Sequence, residues 1–279
     1  MATLVENSYG IVKRFDYVER VIHDRHPASI LDFGCGTGEL LTVPLAEKFP
    51  DITFTAADDD AASIEFGRTK NEALKNLRFL YPNELAESDK FDLIIASEVI
   101  EHVEEPAALL TFLKEKLNDN GRLILTLPNG YGPFEATALA DSLLFRIGID
   151  AAGIYRRLTK KDLGTVPADG KYSLAVSPHI NFFSHHSIRR VIEESGFEIA
   201  NYTPRTFLCG MGFDQILRGR FLTSINDRVT NILPASFVSD WMFELKKSNK
   251  PTKTAGYHRN RYARIRRRLN EKRWGLVPE

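Results

Sequence analysis

The run Ile30-Leu31-Asp32-Phe33-Gly34-Cys35-Gly36-Thr37-Gly38-Glu39-Leu40 constrains this chain more than any other stretch. It reads as a buried strand, a turn holding three glycines and the start of a helix. Glycines at that spacing let the backbone approach a ligand where a Cβ would clash. The helix N-terminus behind them offers unpaired N–H groups. Thr53 to Ala57 is a second short strand, and Asp58 stands at its C-terminal end. A carboxylate there is placed to accept both hydroxyls of a ribose. No Lys-Ser/Thr pair follows the glycines, which excludes a Walker phosphate loop. Asp32, an acid just before the first glycine, would repel a pyrophosphate and suits a cationic ligand. A nicotinamide nucleotide or a plain tight turn remains the alternative reading of these residues.

The apolar strand Phe91 to Ala96 is uncharged through its centre, as a strand covered on both faces must be. Further strands read at Arg78 to Leu80, Arg122 to Leu127, Phe197 to Tyr202 and Trp241 to Lys246. Helical spacing is seen over residues 8–26, where Ile11, Phe15, Val18 and Ile22 share a face. It recurs at Ala61 to Glu72 with Asp60 as cap, at Ala107 to Leu117 before Asn118-Asp119-Asn120-Gly121, and after Ser184 with Ile188, Val191 and Ile192 inward. This β-α alternation predicts a doubly wound, mostly parallel α/β sheet. The rhythm breaks at about 131–178, which holds a helical patch from Ala136 to Ile147, and again at about 212–236. Residues 1–248 therefore read as one domain with two insertions, and 249–279 as a basic helical tail.

Composition narrows the classes. A hydrophobic fraction of 43% over 279 residues supports a sizeable core. A net charge of zero gives no global field toward nucleic acid or membrane. There is no basic start followed by a long apolar run, and no uncharged apolar stretch long enough to span a bilayer. Of the two cysteines, Cys35 lies in the glycine turn, where a disulfide would obstruct a ligand. The expected setting is a reducing cytoplasm.

The strand, the acid and the G-x-G-x-G resemble motif I of the class I S-adenosylmethionine (SAM) methyltransferases. SAM carries a sulfonium and an ammonium and no phosphate, which matches Asp32. The segment from Phe91 through Ser97-Glu98-Val99-Ile100-Glu101-His102-Val103 resembles the fourth-strand region of the ubiquinone-pathway O-methyltransferases. So do Gly121 to Asn129, and His179-Ile180-Asn181-Phe182-Phe183-Ser184 with the later Gly196-Phe197. The resemblance implies a Rossmann-like sheet of seven strands whose last strand inserts antiparallel between the fifth and sixth. It implies SAM as cofactor, with Asp32, Gly34, Gly36 and Gly38 around the methionine half and Asp58 on the ribose. Asp59 is a second ribose candidate, and Ser97 and Glu98 would line the floor. The acidic pair expected near the adenine is replaced by Tyr81-Pro82-Asn83-Glu84.

Glu98, Glu101 and His102 are spaced i, i+3 and i+4, and on a helix all three would share a side. His179 is expected to return to the same sheet edge. Two carboxylates and two imidazoles suit a divalent ion, with nitrogen ligands favouring Mn²⁺, Fe²⁺, Co²⁺ or Zn²⁺ and cells often supplying Mg²⁺. The set is similar to the E-x-x-E-H…H metal ligands of the small-RNA 3′-end 2′-O-methyltransferases. Three roles stay open: a metal site of Glu98, Glu101, His102 and His179, a general base at His102 or His179, and a structural role. His185 and His186 are expected to face solvent. Tyr131, Phe134 and the helical patch behind them read either as a lid over an acceptor or as insertion core.

Between Lys253 and Arg273, nine Lys or Arg stand against one acid, Glu271. Tyr262, Ile265 and Leu269 would form an apolar stripe. The tail is either a helix packed on the domain or a surface for an anionic partner such as RNA, phosphorylated glycan or lipid headgroups. The expected acceptor is a hydroxyl of a small-molecule, lipid-linked or sugar substrate. The rivals are an RNA 3′-end 2′-hydroxyl and a SAM-binding protein without catalysis.

Overall fold

The computed structural model describes residues 8–149, 178–209, 220–249 and 257–273. Seven strands form one sheet in the order β3-β2-β1-β4-β5-β7-β6. They are β1 (Ser29–Phe33), β2 (Thr53–Ala57), β3 (Leu77–Leu80), β4 (Phe91–Ser97), β5 (Leu117–Pro128), β6 (Phe197–Pro204) and β7 (Asp240–Lys247). The first five pair in parallel. β7 runs antiparallel to both β5 and β6, as the resemblance implies. The helices are α1 (Ser8–Arg25), α2 (Thr42–Lys48), α3 (Ala61–Lys70), α4 (Pro106–Lys116), α5 (Pro133–Arg146), α6 (His185–Glu194), α7 (Arg220–Ile232) and α8 (Arg261–Arg273).

Alternation along the strands sorts side chains onto two buried faces. Ile30, Leu93, Ile95, Ile124 and Met242 meet Val18 and Ile22 of α1 and Leu45 of α2. The intervening Leu31, Ile94, Leu123, Leu125 and Phe243 meet Leu110 and Leu113 of α4 and Ile188, Val191 and Ile192 of α6. Each fully buried residue of this kind contributes roughly 1.5–3 kcal/mol. Covering both faces leaves the strand ends as the place for polar chemistry. The carboxyl ends of β1, β2, β4 and β5 therefore carry the glycine turn, Asp58, the 98–105 loop and the 129–132 loop along one edge.

Several local expectations differ from the structure. α2 begins at Thr42, later than expected, because the Gly38 carbonyl accepts from Val43 N at 2.9 Å and closes a separate turn first. Asn118 to Gly121 do not end a helix before a new strand. Leu117 already pairs with Phe91 while Arg122 pairs with Leu93, so these four residues bulge out of a strand already begun. Leu117 is fully buried, which anchors that early start. Ser184 does cap α6, accepting from Ser187 N. His185 is not a solvent-facing residue. Its ring lies 5.3 Å from Tyr202 and 5.5 Å from Trp241, while His186 is exposed. The helical patch after β5 is α5, and the rest of that insertion over 150–177 lies outside the described residues, as does 210–219 in the second.

Candidate functional site

The glycine turn hangs from the end of β2. Gly34 N and Cys35 N both donate to the Ala57 carbonyl, at 2.7 and 3.2 Å. Gly36 N donates to Asp58 Oδ2 at 2.7 Å, and Asp60 N to Asp58 Oδ1 at 2.9 Å. Gly34 has φ +79, and a Cβ there would meet Val99 Cγ2 at 2.3 Å, so no side chain fits. Asp58 is buried while Asp59 is exposed. The Thr37 hydroxyl is buried in this turn and finds no partner. Asp32 is buried and accepts from the Thr42 hydroxyl at 2.5 Å. Burial pushes its carboxyl up to about 6, against the pull of Thr42 and of the nearby Arg14 charge. An open glycine backbone, an orphaned hydroxyl and a desolvated acid form a cradle that fits a cationic sulfonium ligand.

Arg14 was not foreseen as a site residue. It is 6% exposed and donates to Ser97 Oγ at 3.1 Å. The signal was present, since Arg14 stands between Ile11 and Val18 on the inward stripe of α1. Ser97 Oγ and Thr126 Oγ1 lie 2.8 Å apart. Thr126 Oγ1 donates to Glu98 Oε1 at 2.7 Å, and Arg205 approaches both Glu98 oxygens at 3.3 Å. Arg205 also pairs with buried Asp240 at 2.9 Å. Burial alone would raise the Glu98 carboxyl, yet Arg205 and Arg14 hold it below the usual range. Glu98 takes φ +58, a strained conformation for a residue with a side chain. Arg205 follows Pro204 in a connection, and no periodicity marks it.

Glu101, His102 and His179 come together, with one ligand atom from each all within 4.8 Å. Ile180 N and Asn181 N both donate to the Glu101 carbonyl at 2.9 Å, which brings His179 beside the loop after β4. The two imidazole centroids are 4.9 Å apart. His102 Nδ1 is 3.1 Å from the Pro178 carbonyl, and His179 Nδ1 is 2.5 Å from Glu135 Oε1. Both partners can only accept, so Nδ1 carries the proton in each ring and Nε2 is left for a ligand. Metal-binding histidines are held in this way by outer partners. Glu98 lies outside the group, committed to Thr126 and Arg205.

Glu101 is fully buried, and neither carboxylate oxygen has a hydrogen-bond partner. Burial, and then the Glu98 charge, push its carboxyl up to about 8. Burial and the His179 charge pull His102 down to about 4. Burial also works against a charged His179, but Glu135 outweighs it and lifts the imidazole to about 9. An unpartnered buried carboxylate beside two oriented imidazoles is costly without a counter-ion and fits a divalent metal.

The C-terminal segment packs on this site. Among its described residues, Arg266 is 1% exposed and pairs with equally buried Glu135 of α5 at 2.5 Å. The inward face of α8 is Ala263, Arg266 and Asn270, whereas Ile265 of the expected stripe is 51% exposed. Arg259 and Arg267 both pair with Glu104, and Tyr262 OH donates to the Gly130 carbonyl at 3.2 Å. These basic residues are thus spent inside the chain. No helix among the described residues is long and apolar enough to cross a membrane.

The sheet order, the turn and the cluster define a class of protein. A family model described as a methyltransferase domain matches residues 10–202, and the chain belongs to that family. Among curated relatives, the mitochondrial ubiquinone biosynthesis O-methyltransferase of Schizosaccharomyces pombe is 32% identical over 120 residues, 40% of this chain and 43% of that protein. Trans-aconitate 2-methyltransferase of Deinococcus radiodurans is 32% identical over 111 residues, 40% of this chain and 42% of that one. The chain thus spans less than half the length of these relatives. A solved S-adenosylmethionine-dependent methyltransferase from Clostridium acetobutylicum shares the fold with TM-score 0.54 at 14% identity, over 86% of this chain and 92% of that one. PKMT2 from Rickettsia typhi in complex with AdoHcy does so with TM-score 0.52 at 17% identity, over 81% and 50%.

The orphaned carboxylate has a consequence for stability. The folded pKa of Glu101, about 8, lies above its unfolded value. The group's contribution is complete below the unfolded pKa of about 4.3 and is lost as pH rises through the folded one. In metal-free protein under chelator, Glu101→Gln is expected to be more stable than wild type by on the order of 1–3 kcal/mol at pH 8. The gain should shrink toward zero near pH 4. Urea unfolding of both proteins across that range checks it.

Proposed function

We propose that the chain is a SAM-dependent methyltransferase acting on an oxygen acceptor, assisted by a divalent metal at Glu101, His102 and His179. The observation that carries this reading is the Glu101 carboxyl, buried without a hydrogen-bond partner and 3.9 Å from His102 Nε2, beside two imidazoles at the edge that holds the glycine cradle. SAM supplies an electrophilic methyl, whose carbon–sulfur bond breaks as the acceptor oxygen forms its bond to carbon, leaving S-adenosylhomocysteine and a methyl ether or ester. The chain's part is to hold donor and acceptor in line and to keep water out. Asp32 and the backbone of Gly34, Gly36 and Gly38 would hold the methionine end, with Arg14 and Ser97 beside it. Asp58 would take the ribose hydroxyls and Asp59 would stand at the rim.

A divalent ion, Mn²⁺ or Mg²⁺, would hold the acceptor oxygen and lower its pKa. Burial and the His179 charge keep His102 neutral, which leaves its Nε2 lone pair open to the metal. His179 must give up its Nε2 proton to bind metal while Nδ1–H stays on Glu135, so metal binding competes with protonation of that ring. Glu98 stays ionised against Arg205 and contributes negative charge beside the cluster. Phe134, 6.2 Å from His179, and Tyr131, stacked on Tyr262 at 4.7 Å, would border the acceptor. The acceptor class is a small-molecule, lipid-linked or sugar hydroxyl. Support comes from relatives named for ubiquinone biosynthesis O-methylation. A cysteine in the glycine turn, Cys35, agrees with a reducing, cytoplasmic setting.

Two outcomes are expected. Glu101→Ala and His179→Ala should each lower turnover at least about 100-fold, as loss of a directly acting group does, with SAM affinity within about twofold of wild type. Calorimetry and release of S-adenosylhomocysteine over an acceptor panel read both quantities. Loss of SAM binding in both variants would make the cluster structural. Secondly, Asp32 must be ionised to receive a cation, so SAM affinity should fall below about pH 6. The fall should approach about tenfold per pH unit, since one proton is linked to binding. Asp32→Asn should bind more weakly at pH 8 and show a flat profile.

A further inference from the structure

The C-terminal helix reaches His179 by two routes. Asn270 Nδ2 donates to the His179 carbonyl at 3.1 Å, which fixes the backbone. Arg266 Nη2 donates to Glu135 Oε2 at 2.5 Å, while Glu135 Oε1 receives His179 Nδ1 at 2.5 Å, which fixes the ring. Glu135 thus has one oxygen anchored to the tail and the other on the imidazole. Arg266 and Glu135 are each 1% exposed, and the guanidinium lies over the Phe182 ring at 5.0 Å. Arg261, Arg264 and Arg268 on the same helix are exposed. Sinking one arginine out of this basic helix costs desolvation that a surface tail would avoid. Arg267 and Arg259 tie the same segment to Glu104, two residues beyond His102, so α8 grips both imidazole-bearing stretches.

We propose that the basic C-terminal helix is part of the active site and that Arg266 is the residue that positions His179, acting through Glu135. Its role in metal binding rests on the metal reading of the cluster. A fixed Glu135 holds the His179 ring with Nδ1 protonated, so that Nε2 points to the shared ligand position. Arg259, Arg266 and Arg267 of the tail thus serve the chain's own site, while Arg261, Arg264 and Arg268 stay on its outer face.

The test uses the full chain with SAM. Mn²⁺ binding is followed by electron paramagnetic resonance, and the imidazoles by ¹⁵N NMR in metal-free protein. Arg266→Met should bind Mn²⁺ about 10–100-fold more weakly, the range for loss of an outer partner of a ligand. SAM affinity should stay at the wild-type value, and the His179 Nδ1–H signal should be lost to exchange with water. Wild-type Mn²⁺ affinity with an unchanged His179 signal overturns the proposal. If the wild-type protein takes no Mn²⁺, the metal reading fails by itself, and the NMR signal alone decides the role of Arg266. If Arg266→Met also loses SAM, Arg266→Lys carries the test, because an ammonium cannot reproduce the planar fork. A displaced His179 signal then supports the positioning role, and an unchanged one overturns it.

Discussion

The Glu101 carbonyl accepts two backbone amides, from Ile180 and Asn181, and the site depends on that junction. The Asn181 side chain reinforces it by donating to the Ile100 carbonyl at 3.0 Å and to the Val103 carbonyl at 2.6 Å. Together these bonds lock the loop after β4 to the segment that enters α6. His102 and His179, distant in sequence, become neighbours as a result. The Glu101 side chain is buried by the same closure, without a hydrogen-bond partner. A fold that strands a carboxylate in this way at its ligand-binding edge holds a place for positive charge.

Charge along the edge is arranged in two opposed tiers. Glu98, Asp240, Arg205 and Arg14 form one network, in which the Arg205 and Arg14 charges hold the Glu98 carboxyl below its usual range against burial. Glu101, His102 and His179 form the other, where burial raises the acid and only His179 has a strong counter-charge, in Glu135. The first tier is internally satisfied and reads as scaffold beneath the donor. The second leaves both Glu101 oxygens without a hydrogen-bond partner. Both tiers stand on a sheet whose two faces are sealed by α1 and α2 on one side and α4 and α6 on the other.

Much of the fold was legible from the sequence because its signals are local. Alternating apolar residues in β1, β4, β5 and β7 sort onto two faces, and the glycine turn with Asp58 follows from short-range geometry. The Asn118 to Gly121 bulge was not legible, because turn-forming residues and a bulge share the same composition. Of the cluster, Glu101, His102 and His179 were legible from their residue types, but not from helical spacing, since residues 98–105 form a loop in which Glu98 turns toward Arg205. Glu135 and Arg266 carried no signal, since one sits in an insertion helix and the other among eight similar residues. Their meeting depends on how α8 docks on α5, a tertiary event that periodicity does not encode. The tail's apparent stripe misled for the same reason, with a buried arginine taking the inward position in place of Ile265.

In the proposed site, Glu101, His102 and His179 hold a divalent ion beside the SAM cradle. The most direct measurement is a calorimetric titration of Mn²⁺ into SAM-loaded protein, wild type beside His179→Ala. About one ion per chain is expected in wild type, as a site of three protein ligands requires, with its loss in the variant. No binding to wild type, or undiminished binding to His179→Ala, would contradict it.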